Sequence, residues 1–150
     1  MAKKLPPNPL QSEILQAVSS AKTKAAKINL LKEYRNPALV SLLIWNFDES
    51  IKSAIPEGDV PYTPSDKPIG DGVSRLVSQQ RMFYNFVEGG NVDLTRTRRE
   101  ALFIELLESL HKEEAELLCL VKDKEIGKKY RITRNVVAEA FEDIVWGNRT

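Results

Sequence analysis

The stretch NPALVSLLIW, residues 36–45, sets a side-chain acceptor before a proline and follows it with eight residues of which seven are apolar. Asparagine at a helix cap accepts from the first unpaired backbone N–H groups, and proline at the first helical position has no N–H to leave unpaired. The stretch therefore predicts a helix, and because that helix is apolar on nearly every side it predicts a central one.

Working outward, the neighbouring text is also helical. LQSEILQAV (10–18) predicts a short helix, and AKTKAAKINLLKEY (21–34) predicts another, with Ala25, Ile28 and Leu31 recurring at helical spacing. FDESIKSAI (47–55) reads as a further short helix capped by Asp48. The four prolines of PEGDVPYTPSDKPIGDG, at 56, 61, 64 and 68, remove backbone donors and favour extended neighbours, so 56–72 is expected to be a long proline-rich loop. Helical text resumes over 73–88 with Leu76, Val77, Phe83, Tyr84 and Val87, and Gly89-Gly90 stops it.

Thr97-Arg98-Arg99-Glu100 has the spacing of a capping box, ahead of an apolar stripe of Phe103, Leu106, Leu107 and Leu110. A helix over 112–121 turns LLCLV inward, and a last one over 133–146 presents Val136, Val137, Ala140, Phe141 and Ile144. No stretch alternates as a strand does, and no segment repeats. The expected fold is all-α: a single compact helical domain of six to seven helices over 9–150, with a flexible proline-rich arm at 1–8.

Composition excludes several classes. The chain has 150 residues and one cysteine, Cys119, whose apolar setting suits a buried thiol in a reducing compartment. MAKKLPPNPL carries no apolar run, and no window approaches the ~18 apolar residues of a membrane span, so a cytoplasmic protein without membrane contact is expected. Net charge is only +1, but it is unevenly spread. Residues 1–35 hold seven Lys/Arg against two acids, and Lys122 to Arg134 holds six against two. Each cluster is either a phosphate footprint or a solvated face.

Catalytic and metal chemistry find little support. His111 is the only histidine, no nucleophile motif accompanies it, and the glycines at 70–72 and 89–90 lack phosphate-loop spacing. Glu108 and His111 form one E-x-x-H pair, but a di-metal bundle needs a second, so His111 reads as the end of a helix, paired with its terminal carbonyls. Glu113, Glu114 and Glu116 read as carboxylates complementing a helix N-terminus. No catalytic residue, metal or cofactor is assigned.

EIGKKYRITRNVVAEAF (125–141) admits two readings. As a helix-turn-helix, Gly127 marks the junction, Ile126, Tyr130, Ile132 and Val137 make the contacts between helices, and Thr133 caps a recognition helix led by Arg134 and Asn135. Lys128, Lys129 and Arg131 then face phosphates. As closure of a helical core, the same apolar spacing needs no DNA. Arg131 at a turn position that favours glycine, and the acids Glu139, Glu142 and Asp143, weigh against the first reading. In TRTRR (95–99), Arg96, Arg98 and Arg99 sit unfavourably at a helix N-terminus and need either internal carboxylates or an external phosphate. MFYNF (82–86) suits a stacking surface or a buried helix, and Trp45 and Trp146 suit core or interface anchors.

Taken together, NPALVSLLIWNFDESIKSAIPEGDVPYTP, FVEGG, TRREALFIELLESLHKEEAELLCLVKDK and KKYRITRNVVAEAF resemble a family encoded by tailed bacteriophages, especially large marine and cyanobacterial myophages. The resemblance spans about residues 21–141 and implies a small intracellular phage product with no assigned activity, so no functional residue carries over from it. The function expected is that of a non-enzymatic accessory protein binding nucleic acid, or a replication or transcription complex, through Lys128, Lys129, Arg131, Arg134, Asn135, Arg96, Arg98 and Arg99. The alternative is a structural or assembly protein acting as a homo-oligomer.

Overall fold

In the computed structural model, which describes residues 5, 8–67 and 73–147, the helix opened by Asn36 lies at the centre, as its apolar surface demands. It is α3 (Pro37–Phe47), preceded by α1 (Gln11–Ser20) and α2 (Lys24–Glu33) and followed by α4 (Arg96–Ser109), α5 (Lys112–Lys122) and α6 (Arg134–Ala140). Three 3-10 segments, Leu76–Ser78, Gln80–Phe86 and Ile126–Lys128, complete the helical elements among the described residues. The fold is all-α, with isolated β-bridges but no strand among the described residues.

Asn36 caps α3 as its position requires, its Oδ1 accepting from Leu39 N–H at 2.8 Å. Leu39, Leu42 and Leu43 are fully enclosed, and both α3 and α4 pack against α5. α1 lies against α2 and α5, and α6 packs principally against α2. Buried Asn46 accepts from Ile126 N–H at 3.1 Å, and Trp45 Nε1 donates to Ser53 Oγ at 2.8 Å. Ser53 Oγ in turn donates to Lys122 O at 2.5 Å, so one hydroxyl ties three segments together. Glu114, also fully enclosed, joins α5 to two other elements by accepting from Gln11 N–H at 2.8 Å and Leu76 N–H at 3.0 Å. Burial pushes its carboxyl up, against the two N–H bonds that favour the charged form.

Several boundaries differ from expectation. FDESIKSAI forms no helix: α3 runs on to Phe47, and the Asp48 carboxylate is occupied by Ser50 N–H at 2.9 Å and Gly147 N–H at 2.9 Å. The chain then runs extended, pairing Ala54 N–H with Phe86 O and Glu88 N–H with Lys52 O, both at 2.7 Å. Within 73–88 the segments Leu76–Ser78 and Gln80–Phe86 wind as 3-10 turns, and the run is tied to other elements at its start, Ser74 N–H donating to Ser109 O and Leu76 N–H to Glu114. That run mixes Leu, Arg, Gln and Met with the less favourable Val, Ser, Phe, Tyr and Asn. α4 begins two residues earlier than the capping-box spacing suggested, with Thr95 Oγ1 accepting from Arg98 N–H at 3.2 Å. α6 ends at Ala140 rather than near 146, where Phe141 leaves helical geometry.

His111 does not end a helix. α4 stops at Ser109, and His111 opens α5, its Nδ1 accepting from Glu113 N–H at 3.2 Å. Cys119 is half-buried beside Tyr62, and burial pushes its thiol up to about 11. The proline-rich loop is tied to the body as far as Ser65, by Thr63 N–H on Glu108 at 2.8 Å and by a Ser65–His111 bridge. Its last part, 68–72, lies outside the described residues, as does the expected N-terminal arm apart from Leu5 and Asn8. Gly89 takes φ +81°, and a Cβ on Gly90 would lie 1.9 Å from Tyr84 O, so each of the paired glycines has its own reason to be glycine. No helix among the described residues is long and apolar enough to cross a membrane.

Candidate functional site

The eight residues expected to bind a partner separate into four kinds. Lys128 is ion-paired with Glu125, Lys129 Nζ with Glu116 at 2.7 Å, and Arg96 Nε with Glu100 at 3.0 Å. Arg99 is a structural clamp, donating from Nε to Asn85 O at 2.9 Å and from Nη2 to Asn91 O at 3.1 Å and Leu94 O at 3.0 Å. Arg134 lies over the Trp146 ring with its Cζ 4.7 Å from the centroid. Arg98, Arg131 and Asn135 are exposed, and neither arginine has an acidic partner among the described residues. The cleft beside the start of α4, about 460 Å³, is lined by Arg96 and Arg99 and includes Glu88.

The stretch 125–141 closes the core. Ile126, Tyr130, Ile132 and Val137 are all at most 3 % exposed. Eleven residues, 123–133, separate α5 from α6, whereas a helix-turn-helix joins its helices through three or four. The left-handed residue is Lys124, at φ +57°, not Arg131. Lys124 spends its ammonium on the end of α3, donating to Trp45 O at 2.5 Å and Asp48 O at 2.9 Å. Desolvation lowers its pKa, opposed by the charges of Asp48 and Glu49. Two of the three acids that would repel phosphate are matched from α2 and just beyond it, Glu139 by Lys24 and Asp143 by Arg35. MFYNF is mostly core, with Phe83 against Trp45 and Phe86 edge-on to Phe103, leaving Tyr84 as its exposed ring.

The fold brings the two base-rich segments together. Arg131 N–H donates to Ser19 Oγ at 2.8 Å, and Lys27 Nζ donates to Arg131 O. These bonds join the turn after Tyr130 to the α1–α2 corner. Between them lies a cleft of about 620 Å³ lined by Gln16, Ser19, Ser20, Lys22, Lys27 and Arg131, with Ala21 at its base. Three cations and two hydroxyls line it, and no carboxylate does. Neither the Lys22 ammonium nor the Arg131 guanidinium has a partner among the described residues. Such a cleft suits an oxyanion of phosphate type, with the guanidinium as a planar donor, the ammonium groups as point charges and the hydroxyls as donors. Ser19, Ser20, Lys22 and Lys27 were not singled out in the sequence. The signal present there was the surplus of bases before residue 36, but nothing marked Arg131 as their neighbour.

No group of three or more His, Cys, Asp or Glu side chains among the described residues could hold a metal ion. Glu108 of the E-x-x-H pair faces the proline-rich loop, and His111 is engaged as a cap.

A family model matches residues 14–128, from within α1 to the last 3-10 turn. The chain belongs to DUF6433, a family of unknown function. No curated protein and no solved structure matches it. The matched region includes the α1–α2 corner with Lys22 and Lys27, and ends three residues short of Arg131.

Proposed function

We propose that this DUF6433 protein is a non-enzymatic, phage-encoded accessory protein of the host-cell cytoplasm that engages nucleic acid, free or within a replication or transcription complex, through its α1–α2 corner. The observation that carries the reading is the cleft formed by Lys22, Lys27 and Arg131, with two serine hydroxyls and no acid on its walls. A nucleic-acid backbone offers repeated oxyanions to such a surface, and binding then rests on counterion release. Arg134, also exposed, follows Arg131 by three residues at the start of α6 and adds a further cation to this part of the chain. The phage origin rests on the sequence resemblance alone.

The test is the salt dependence of binding to a fluorescein-labelled oligonucleotide. Affinity is expected to fall steeply with rising salt, and in Lys22→Glu/Arg131→Glu the slope of log K against log salt should shrink by about 2, one for each phosphate no longer neutralised. Lys128→Glu/Lys129→Glu should cost less, since both lysines are already paired with acids. Binding that ignores salt, or that survives the first double variant unchanged, overturns the proposal.

The second reading is self-association. Tyr84 and Val92, 54 % and 79 % exposed, stand close in sequence at the turn before α4. Two apolar side chains make a small patch by comparison with the surfaces that hold stable oligomers. A concentration-independent dimer or larger species in light scattering, lost in Val92→Asp, would favour it.

A further inference from the structure

The cationic cleft shares a wall with a larger one. Gln16, Ser20, Ala21 and Lys22 line both, so the two open on either side of the α1–α2 corner. The larger, about 740 Å³, falls in the size range of small-molecule sites. Its walls are of another character: Ala17 of α1, Ala26 and Leu30 of α2, Leu5 and Tyr130 give an apolar lining. Glu13 and Glu113 bring carboxylates to it beside Lys22 and Lys129, so it offers phosphate no surplus of positive charge.

Polar groups interrupt that lining, with Gln16, Ser20 and Asn29 offering donors and acceptors. Ser12 lines the cleft too, but its Oγ, unpaired among the described residues, is sealed from solvent and takes no part. The group suited to the larger cleft is thus flat or compact, largely apolar, and edged with hydrogen-bonding atoms. The group suited to the smaller one is an oxyanion. Nucleotide units join these two chemistries through a sugar, and only an unpaired base is free to leave the stack and enter a pocket.

We infer that the larger cleft receives the unpaired base of a nucleic-acid strand whose phosphate rests on Lys22, Lys27 and Arg131, which makes the corner selective for single strands. This rests on the phosphate-binding reading above. A duplex can still offer its phosphates to the cations, but its bases stay paired and stacked, so it gains only the salt-sensitive part of the interaction.

The experiment compares a labelled single strand of about 12 nucleotides with its duplex, within the span of known single-strand sites. The wild-type protein, Ala26→Trp and Ala17→Phe are each titrated, and both substitutions fill the larger cleft from opposite walls. The wild type is expected to bind the single strand about tenfold more tightly than the duplex. The filled variants should bring the two affinities together while keeping salt-sensitive duplex binding. Circular dichroism checks that each variant is folded, and where one is not, the other and the wild-type ratio decide. Equal wild-type affinities, or a preference untouched in the folded filled variants, overturn the single-strand inference and leave the phosphate reading standing. Absence of salt-sensitive binding to either probe overturns both.

Discussion

Lys122 and Lys22 carry the same ammonium group in opposite surroundings. The Lys122 side chain is fully enclosed, and its three donors go to Pro56 O at 2.9 Å, Gly58 O at 3.0 Å and the Asp123 carboxylate. Lys22 stands exposed at the α1–α2 corner, beside Lys27 and Arg131, with no acid on the walls of the cleft they share. Both belong to base-rich stretches of sequence, and nothing in either stretch separates them. The difference comes from what the chain folds against them. A loop crossing the end of α5 presents two carbonyls that no secondary structure satisfies, and Lys122 satisfies them. At the α1–α2 corner, among the described residues, the one carbonyl that accepts from these cations is that of Arg131, and Lys27 takes it.

This contrast can be broken or sharpened by substitution. Lys122→Met should be the most damaging change, because it strands two carbonyls and the Asp123 carboxylate. A loss of about 3–5 kcal/mol in denaturant unfolding is expected. A loss below about 1 kcal/mol would mean that the enclosed ammonium is dispensable. Arg99→Ala should follow, at about 1.5–3 kcal/mol, since it releases the carbonyls of Asn85, Asn91 and Leu94 at the entry to α4. Lys22→Ala and Arg131→Ala should change stability by less than about 0.5 kcal/mol while weakening oligonucleotide binding. If either unfolds the protein, the outward cations belong with the clamps.

The smallest effect concerns pH. The Arg35 guanidinium, bonded to Asp143 at 2.7 Å and 2.6 Å, holds that carboxyl down at about 2. Its folded value is below the usual value of about 3.9, so the pair's contribution is present above that pH and is lost as pH falls toward 2. Both groups are largely exposed, and the contribution is small. Unfolding of Asp143→Asn beside the wild type should show a gap at pH 5 that closes by pH 2.

Much of the fold was legible because local signals suffice for it. Asn36-Pro37 marked the start of α3, and the apolar spacing of Phe103, Leu106 and Leu107 marked the buried face of α4. FDESIKSAI misled because a carboxylate at Asp48 can cap a helix or hold a turn, and the choice was made by Gly147, 99 residues away. The 3-10 winding of Leu76–Ser78 and Gln80–Phe86 was equally hidden, since apolar spacing alone does not separate short 3-10 turns from an α-helix. Of the expected partner-binding residues, Arg131 lies in the cationic cleft, whereas Lys128, Lys129 and Arg96 proved to be matched by acids and Arg99 by carbonyls. Charge counts along a chain report how many cations there are. They do not report which ones fold onto an acceptor: Arg96 and Lys128 pair within four residues, but the acceptors of Lys129, Lys124 and Lys27 lie 13, 79 and 104 residues away.

The two tryptophans make both halves of this contrast visible without labels. Trp45, sealed in the core with Nε1 bonded to Ser53, should emit at short wavelength and report the junction that Lys122 closes. Trp146, half-buried beneath the Arg134 guanidinium, should emit further to the red and respond when that arginine is drawn elsewhere. A Trp45→Phe protein would therefore watch the outer face by its own light, and a Trp146→Phe protein the interior.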